Sequence, residues 1–328
     1  MRAAYYERTG PAREVLILGE LPDPEPGPGE VRVRVAWSGV NPSDVKSRAG
    51  LRTKTLPFPR VVPHSDGSGT IDRIGEGVDP ARVGERVWVW NAAWGRAGGT
   101  AAGYVALPSV QAVPLPEDTD LAVGACLGIP ALTAYHAVMV DGGVEGKSVL
   151  VAGGAGAVGH YAVQLAKLKG ARQVIATVSS GAKAELALAA GADLVVNYRE
   201  EEFAARCREA TGGRGLDRII EVDFAANVEA DLRALRHEGE VVVYGSGASE
   251  IPVPFAPAIL KNVLVRFFIV YNLTPEDRAR AVTDLTRLLE ENALTHNIAA
   301  RLPLERVAEA HEMVESGRAT GNVVLQVG

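Results

Sequence analysis

Apolar and polar positions keep one rhythm over the first third of the chain and another over the middle. Up to about residue 120 the period is two. Val31-Arg32-Val33-Arg34-Val35 alternates as a strand with one buried face does, and Arg86-Val87-Trp88-Val89-Trp90 repeats the pattern. Pro22, Pro24, Pro26, Gly27, Pro28 and Gly29 make a turn-rich approach to the first of these strands. Trp88, Trp90 and Trp94 are expected in a core, because aromatic rings bury a large area; a stacking surface is the alternative.

From about 124 to 260 the rhythm becomes alternating strand and helix. Strands are expected at 149–152, 173–178, 193–197, 217–222 and 240–244, with helices near 157–169, 182–190, 200–211 and 227–236. Gly170, Gly191 and Gly212 each follow a helix, where a left-handed cap suits glycine. Repeated strand–helix units predict an α/β fold with a doubly wound parallel sheet covered on both faces. Residues 263–270 are apolar except for Arg266 and are expected to add a sixth strand. Thr274-Pro275-Glu276-Asp277 then starts a helix: a hydroxyl cap, a proline in the first turn, acids near the positive end. Its apolar stripe is Ala279, Val282, Leu285, Leu288 and Leu289. A further helix is expected over about 305–316, and Val323-Val324-Leu325-Gln326-Val327 closes the chain as a strand.

One junction carries chemistry. Val149-Leu150-Val151-Ala152 runs into Gly153-Gly154-Ala155-Gly156-Ala157-Val158-Gly159, and Gly154, Gly156 and Gly159 have the spacing G-x-G-x-x-G. A strand precedes them and the helical pattern Val158, Tyr161, Ala162, Leu165 follows. In such a motif the first glycine makes the turn and the second admits a pyrophosphate to the backbone. The third lets helix and strand pack closely, while the helix start attracts negative charge. A glycine turn that serves only packing is the alternative.

Composition narrows the class. The chain has 328 residues, 47% hydrophobic and 23% charged, with net charge −6. That is room for about two domains, and the charge argues against nucleic acid or an anionic membrane as the main partner. The first eight residues lack the apolar core of a signal peptide, and no apolar run is long enough to span a bilayer. Cys126 and Cys207 stand far apart, so neither a disulfide framework nor a cysteine zinc motif is expected; a reducing cytoplasm is the simplest home.

The end of the second strand bears on which dinucleotide is bound. An NAD site usually places Asp or Glu there for the ribose 2′-hydroxyl. Here the strand ends Ala176-Thr177-Val178-Ser179-Ser180, with no acid, and Lys183 follows within one turn. The missing acid removes repulsion against a 2′-phosphate and the lysine adds attraction, so NADP (NADPH) is the expected cofactor; a solvated surface lysine is the alternative.

The chain resembles the zinc-free quinone oxidoreductases of the zeta-crystallin type, within the medium-chain dehydrogenase/reductase superfamily. The resemblance rests on Gly39-Val40-Asn41-Pro42-Ser43-Asp44, on Gly128-Ile129-Pro130-Ala131-Leu132-Thr133-Ala134-Tyr135, on the glycine turn, and on Asn197-Tyr198-Arg199-Glu200. It extends to Pro303-Leu304-Glu305-Arg306-Val307-Ala308-Glu309-Ala310-His311 and Ala319-Thr320-Gly321-Asn322. It implies a GroES-like β-rich catalytic domain over 1–123 and 271–328, and a Rossmann NADP-binding domain with a six-stranded sheet over 124–270. The cofactor would lie between them. Cofactor contacts are then expected at Asn41, Lys46 and Thr133, and in the turn at Gly154, Ala155, Gly156, Ala157 and Val158. Further contacts are expected at Thr177, Ser179, Lys183, Tyr198, Asn227, Gly245 and Ser246, and then at Phe267, Phe268, Ile269 and Asn322. Lys46 departs from the family pattern, which has tyrosine there. Relatives pair the apolar edge at 263–270 across a two-fold axis, so a homodimer is expected.

Superfamily alcohol dehydrogenases hold a catalytic zinc through cysteine, histidine and a second cysteine or acid. Here Asn41 stands at the first position and Ile129 near the third; only His64 remains, with Asp66 beside it. No metal site is expected. Asn41 and His64 are the candidate catalytic residues, His64 alternatively a buried hydrogen-bonded histidine. Without a Lewis acid, an acceptor with its own electron sink is expected: a quinone, or an activated enone as the alternative. A non-catalytic NADPH-binding role is a further alternative, and weak RNA binding, a theme among relatives, is a third that the net charge of −6 argues against.

Overall fold

The alternating rhythm of the middle of the chain becomes a six-stranded, wholly parallel sheet in the computed structural model, which describes residues 1–328. Its strands are β1 (Ser148–Val151), β2 (Gln173–Val178), β3 (Leu194–Asn197), β4 (Leu216–Glu221), β5 (Leu235–Val243) and β6 (Leu264–Phe267). The connecting helices are α1 (Ala157–Leu168), α2 (Gly181–Ala189), α3 (Phe203–Ala210) and α4 (Phe224–Ala234). The spatial order β3-β2-β1-β4-β5-β6 reverses direction between β1 and β4, as in a Rossmann fold. The strands read as apolar runs because both faces are covered: all four residues of β1 are buried. Leu150, Ile175, Ile219 and Val241 form one core layer with Phe224, Val228 and Leu232 of α4.

This unit comprises Ala131–Ala281; the other comprises Met1–Pro130 and Val282–Gly328. The expected divisions stood at 123/124 and 270/271. Residues 124–130 stay with the first unit, where a Cβ on Gly39 would meet the Ala125 carbonyl oxygen at 2.1 Å. Residues 271–281 stay with the second, where the Arg278 guanidinium donates to the Val270 carbonyl at 2.5 Å.

The first unit is built on a seven-stranded sheet around Glu30–Val40, which pairs antiparallel with Asp66–Ile74, Tyr104–Pro108 and the C-terminal strand Asn322–Gln326. The chain's end therefore completes a sheet that its beginning starts. Two expectations fail here. Arg32 should face water by alternation but is 4% exposed. Its guanidinium is held by Asp72 at 2.7 and 3.0 Å and lies 4.6 Å over the Tyr104 ring. Trp88 and Trp90 are buried as expected, whereas Trp94 is 40% exposed, because it sits in a turn beyond the strand.

Arg218 ties the second unit together. It is fully buried in β4, donates from Nε to Glu240 on β5 at 2.8 Å, and donates to the carbonyls of Val138 and Val140 at 2.7 Å each. Those carbonyls end the helix Leu132–Met139, whose last turn is thereby capped from within the sheet. Replacing Arg218 by Ala leaves these buried carbonyls without their donor and Glu240 with Lys147 as its remaining cation, and should lower unfolding stability by about 2–3 kcal/mol in urea titration; a loss below about 1 kcal/mol would show that the network is replaceable.

Candidate functional site

The nucleotide side begins at the β1–α1 junction. The tight turn belongs to Gly153, at φ 67°, and not to Gly154 as the motif suggested. Gly154 answers to a different constraint: a Cβ there would lie 2.5 Å from the Ala176 Cβ on β2. At Gly159 a Cβ would lie 2.1 Å from the Gly153 carbonyl oxygen, so helix and strand approach as closely as backbone permits. Thr177 pins the turn from β2: its Oγ1 accepts from the Gly153 N–H at 3.1 Å, and its carbonyl from the Gly154 N–H at 3.0 Å. Gly156 is the N-cap of α1 and supplies no side-chain cap, so the amides of Ala157 and Val158 face outward at the positive end of the helix. This cradle fits a dinucleotide pyrophosphate.

The other expected nucleotide residues gather at the carboxyl ends of the strands. Thr177, Tyr198 and Asn227 line a cavity of about 200 Å³ with Gly153, Glu221 and Asp223. Ser179 and Lys183 stand beyond β2, with Lys183 Nζ donating to Ser179 Oγ at 3.1 Å. No Asp or Glu occurs between Val174 and Ala184. Gly245 is required by a close approach, since a Cβ there would meet the Val222 carbonyl at 2.2 Å; Ser246 folds back to the Ala248 carbonyl at 2.8 Å. Phe267, Phe268 and Ile269 lie apart from this cavity and line a wider hollow of about 590 Å³, where Phe268 packs on His136 with ring centres 4.6 Å apart. Thr133 is buried in the helix Leu132–Met139, and Ala155 is buried in the turn.

The first unit holds Asn41, Lys46, His64 and Asn322. Asn41 is the N-cap of the helix Pro42–Arg48; its backbone N–H donates to Asp44 Oδ2 and its amide nitrogen to Asp66 Oδ2, both at 2.8 Å. Lys46 lies half-buried on that helix. Asn322 Nδ2 donates to the Asn297 carbonyl at 3.0 Å, so it secures the strand Asn322–Gln326 against the chain beside it. Burial pushes the Asp44 carboxyl up to about 7, against the hydrogen bond from the Asn41 backbone, and pushes Asp66 well above the carboxylate range.

His64 takes the form of the buried, hydrogen-bonded histidine that the sequence left as one of its two readings. It has no exposed surface, it takes a left-handed φ of 78°, and both ring nitrogens are engaged. Nδ1 meets Ser38 Oγ at 2.8 Å, and Nε2 meets His311 Nε2 at 2.9 Å, so one of these two nitrogens carries the hydrogen. Ser38, Thr100 and His311 were missed as its partners. His311 lies 247 residues away in sequence and carried no local signal beyond sitting in an apolar helical stripe. Glu221 and Asp223 were also missed, although an acid closing an apolar strand was a visible sign.

Two sequence profiles match the chain. The alcohol dehydrogenase GroES-like domain covers residues 27–117, and the zinc-binding dehydrogenase profile covers 157–287. Human quinone oxidoreductase is 33% identical over 99% of this chain and 97% of its own length. The chain belongs to the quinone oxidoreductase family. It is an enzyme of the medium-chain dehydrogenase/reductase superfamily. Among solved structures, an NAD-dependent alcohol dehydrogenase superposes with TM-score 0.90 at 32% identity, covering all of both chains. The quinone oxidoreductase of Escherichia coli complexed with NADPH superposes at 0.89 with 26% identity, over 99% of this chain and all of that one.

The profile's name raises zinc, and the donors present do not fit it. A zinc site needs three or four converging donors. No group of three His, Cys, Asp or Glu side chains converges, the His64 nitrogens are taken, and Cys126 Sγ is turned to the Ala122 carbonyl at 3.5 Å.

Burial lowers the His64 imidazole to about 3 and His311 well below the free value of 6.5. As pH falls from 6.5, unfolded chains take up protons on these rings that folded chains refuse, so stability is lost with acidification. Asp44 and Asp66 act in the opposite direction, which makes a variant comparison necessary. Wild type should lose stability from pH 6 to 4.5 more steeply than His311→Gln, by about 1.4 kcal/mol per pH unit. Parallel urea-unfolding curves would mean that His311 titrates freely in the folded protein.

Proposed function

We propose that the protein is an NADPH-dependent, zinc-independent reductase of quinones, with activated enones as the neighbouring acceptor class. The observation that carries this reading is the end of β2, where Lys183 Nζ stands on Ser179 Oγ and no carboxylate occupies the strand end. A 2′-phosphate placed there meets a cation and a hydroxyl and nothing anionic from β2. In the proposed arrangement the amides of Ala157 and Val158 and the close backbone at Gly156 hold the pyrophosphate. Thr177, Tyr198 and Asn227 line the adjoining cavity, and Gly245, Ser246, Phe267, Phe268 and Ile269 extend the contact surface. The bound nicotinamide supplies a hydride.

The first unit is proposed to serve the acceptor. Asn41, held by Asp66, is proposed to orient the acceptor, and Asn41, Lys46 and Asn322 are proposed as its contacts to the cofactor. His64 holds this polar floor in place through Ser38 and is proposed as a positioning residue. With no donor set for a Lewis-acid metal, acceptors that accommodate negative charge on their own oxygens are favoured. Human quinone oxidoreductase, similar over nearly its whole length, supports the acceptor class. We also infer a cytoplasmic protein, since both cysteines are buried and unpaired, and a homodimer through the edge strand β6, where Leu264 and Phe267 are 48% and 59% exposed. No helix is long and apolar enough to cross a membrane.

Lys183→Glu should weaken NADPH by about tenfold or more, the worth of a charged hydrogen bond, and leave NADH much less affected. Equal losses for both, read by fluorescence titration, would refute the phosphate role. NADPH oxidation by a panel of quinones and α,β-unsaturated carbonyls should persist after chelator treatment, with quinones reduced fastest. Activity lost to the chelator and restored by zinc would overturn the metal-free reading.

A further inference from the structure

Behind the nucleotide cavity lies a pair of carboxyl groups that the proposed chemistry does not use. Glu221 ends β4 and lines the cavity; Asp231 comes from the buried face of α4, and neither has exposed surface. Glu221 Oε1 accepts from the Asp223 backbone N–H at 2.5 Å and from Asn227 Nδ2 at 3.1 Å, so it fixes two other lining residues. Glu221 Oε2 and both Asp231 oxygens are buried with no partner beyond each other. Asp231 interrupts the apolar stripe Phe224, Val228, Leu232, where a hydrophobic residue would pack without penalty.

We propose that Asp231 and Glu221 share one proton and together hold the floor of the cofactor cavity, which makes Asp231 a positioning residue for Asn227 and for the turn at Asp223. Two carboxylates in contact, with no cation beside them, do not both ionise; one keeps an O–H that it donates to the other. Burial, reinforced by the facing Glu221 charge, pushes Asp231 up to about 9, and burial also raises Glu221. The titratable groups set against the pair are Asp223 from the turn, Tyr244 from the end of β5 and Cys207 from α3. None is a cation, and burial raises both Tyr244 and Cys207 so that they stay neutral.

The shared proton fixes the sign of a pH effect. Unfolded, Asp231 ionises near 4; folded, it keeps its proton to about 9. Between these limits the folded chain holds one proton more than the unfolded chain, so rising pH disfavours folding. Asp231→Asn keeps a donor toward Glu221 and removes the titration.

The claim about the cavity rests on the cofactor reading above, and the test separates the two. Without cofactor, wild type should lose about tenfold in its folding constant per pH unit from 6 to 8 relative to Asp231→Asn, by urea unfolding. Parallel pH dependences would overturn the shared proton, whether or not NADPH binds. Asp231→Leu, which removes the donor, should bind NADPH about fivefold more weakly than Asp231→Asn, the worth of one hydrogen bond. Equal affinities would overturn the positioning role. A wild type that binds no NADPH would sink the cofactor reading, and the unfolding comparison would still decide the proton.

Discussion

The closest backbone approach at the nucleotide site sets the geometry of the second unit. At Gly159 the first turn of α1 lies so near the Gly153 carbonyl that no side chain fits between them. That contact aims the helix start at the carboxyl ends of the strands. Thr177 then clamps the turn from β2 through both its hydroxyl and its carbonyl. Beyond the end of β2, Lys183 Nζ donates to Ser179 Oγ, and this pair is the proposed seat of a phosphate on the adenosine ribose. The reversal of strand order between β1 and β4 opens the cavity on the same side.

The first unit handles polarity by a different rule. Burial shifts several of its inner titratable groups toward their neutral forms. His64 and His311 lose their tendency to take up protons, while Asp66 loses its tendency to release one. Neutral groups in low dielectric stay ordered only when hydrogen-bonded, and here they form a run from His311 through His64 and Ser38 to Thr100. Asn41 stands alongside this run and is fixed in orientation by Asp66 on its side chain and Asp44 on its backbone.

Much of this was legible in the sequence, for physical reasons that differ by element. The inner β strands of the second unit are covered on both faces, so apolar runs marked β1 to β4 to within a residue: β1 was expected at 149–152 and runs Ser148–Val151, whereas β5, expected at 240–244, begins at Leu235, and the exposed edge strand β6, expected over 263–270, ends at Phe267. The glycine spacing located the cradle but misassigned its turn, since Gly153 and Gly154 look alike until the neighbouring strand is in place. Arg32 read as exposed because alternation does not foresee a buried partner such as Asp72. His64 was left with two readings because its partner His311 comes from the other end of the chain. Asp231 was a missed sign: an acid in an apolar helical stripe is costly, and a sequence that keeps one there gives it a partner.

At the centre of the account is a phosphorylated ribose held by a cation where no carboxylate opposes it. The most direct measurement is the dissociation constant of the unmodified protein for NADPH and for NADH, by fluorescence titration at one fixed, moderate ionic strength. The account predicts that NADPH binds about tenfold tighter or more. Equal affinities, or tighter binding of NADH, would contradict it.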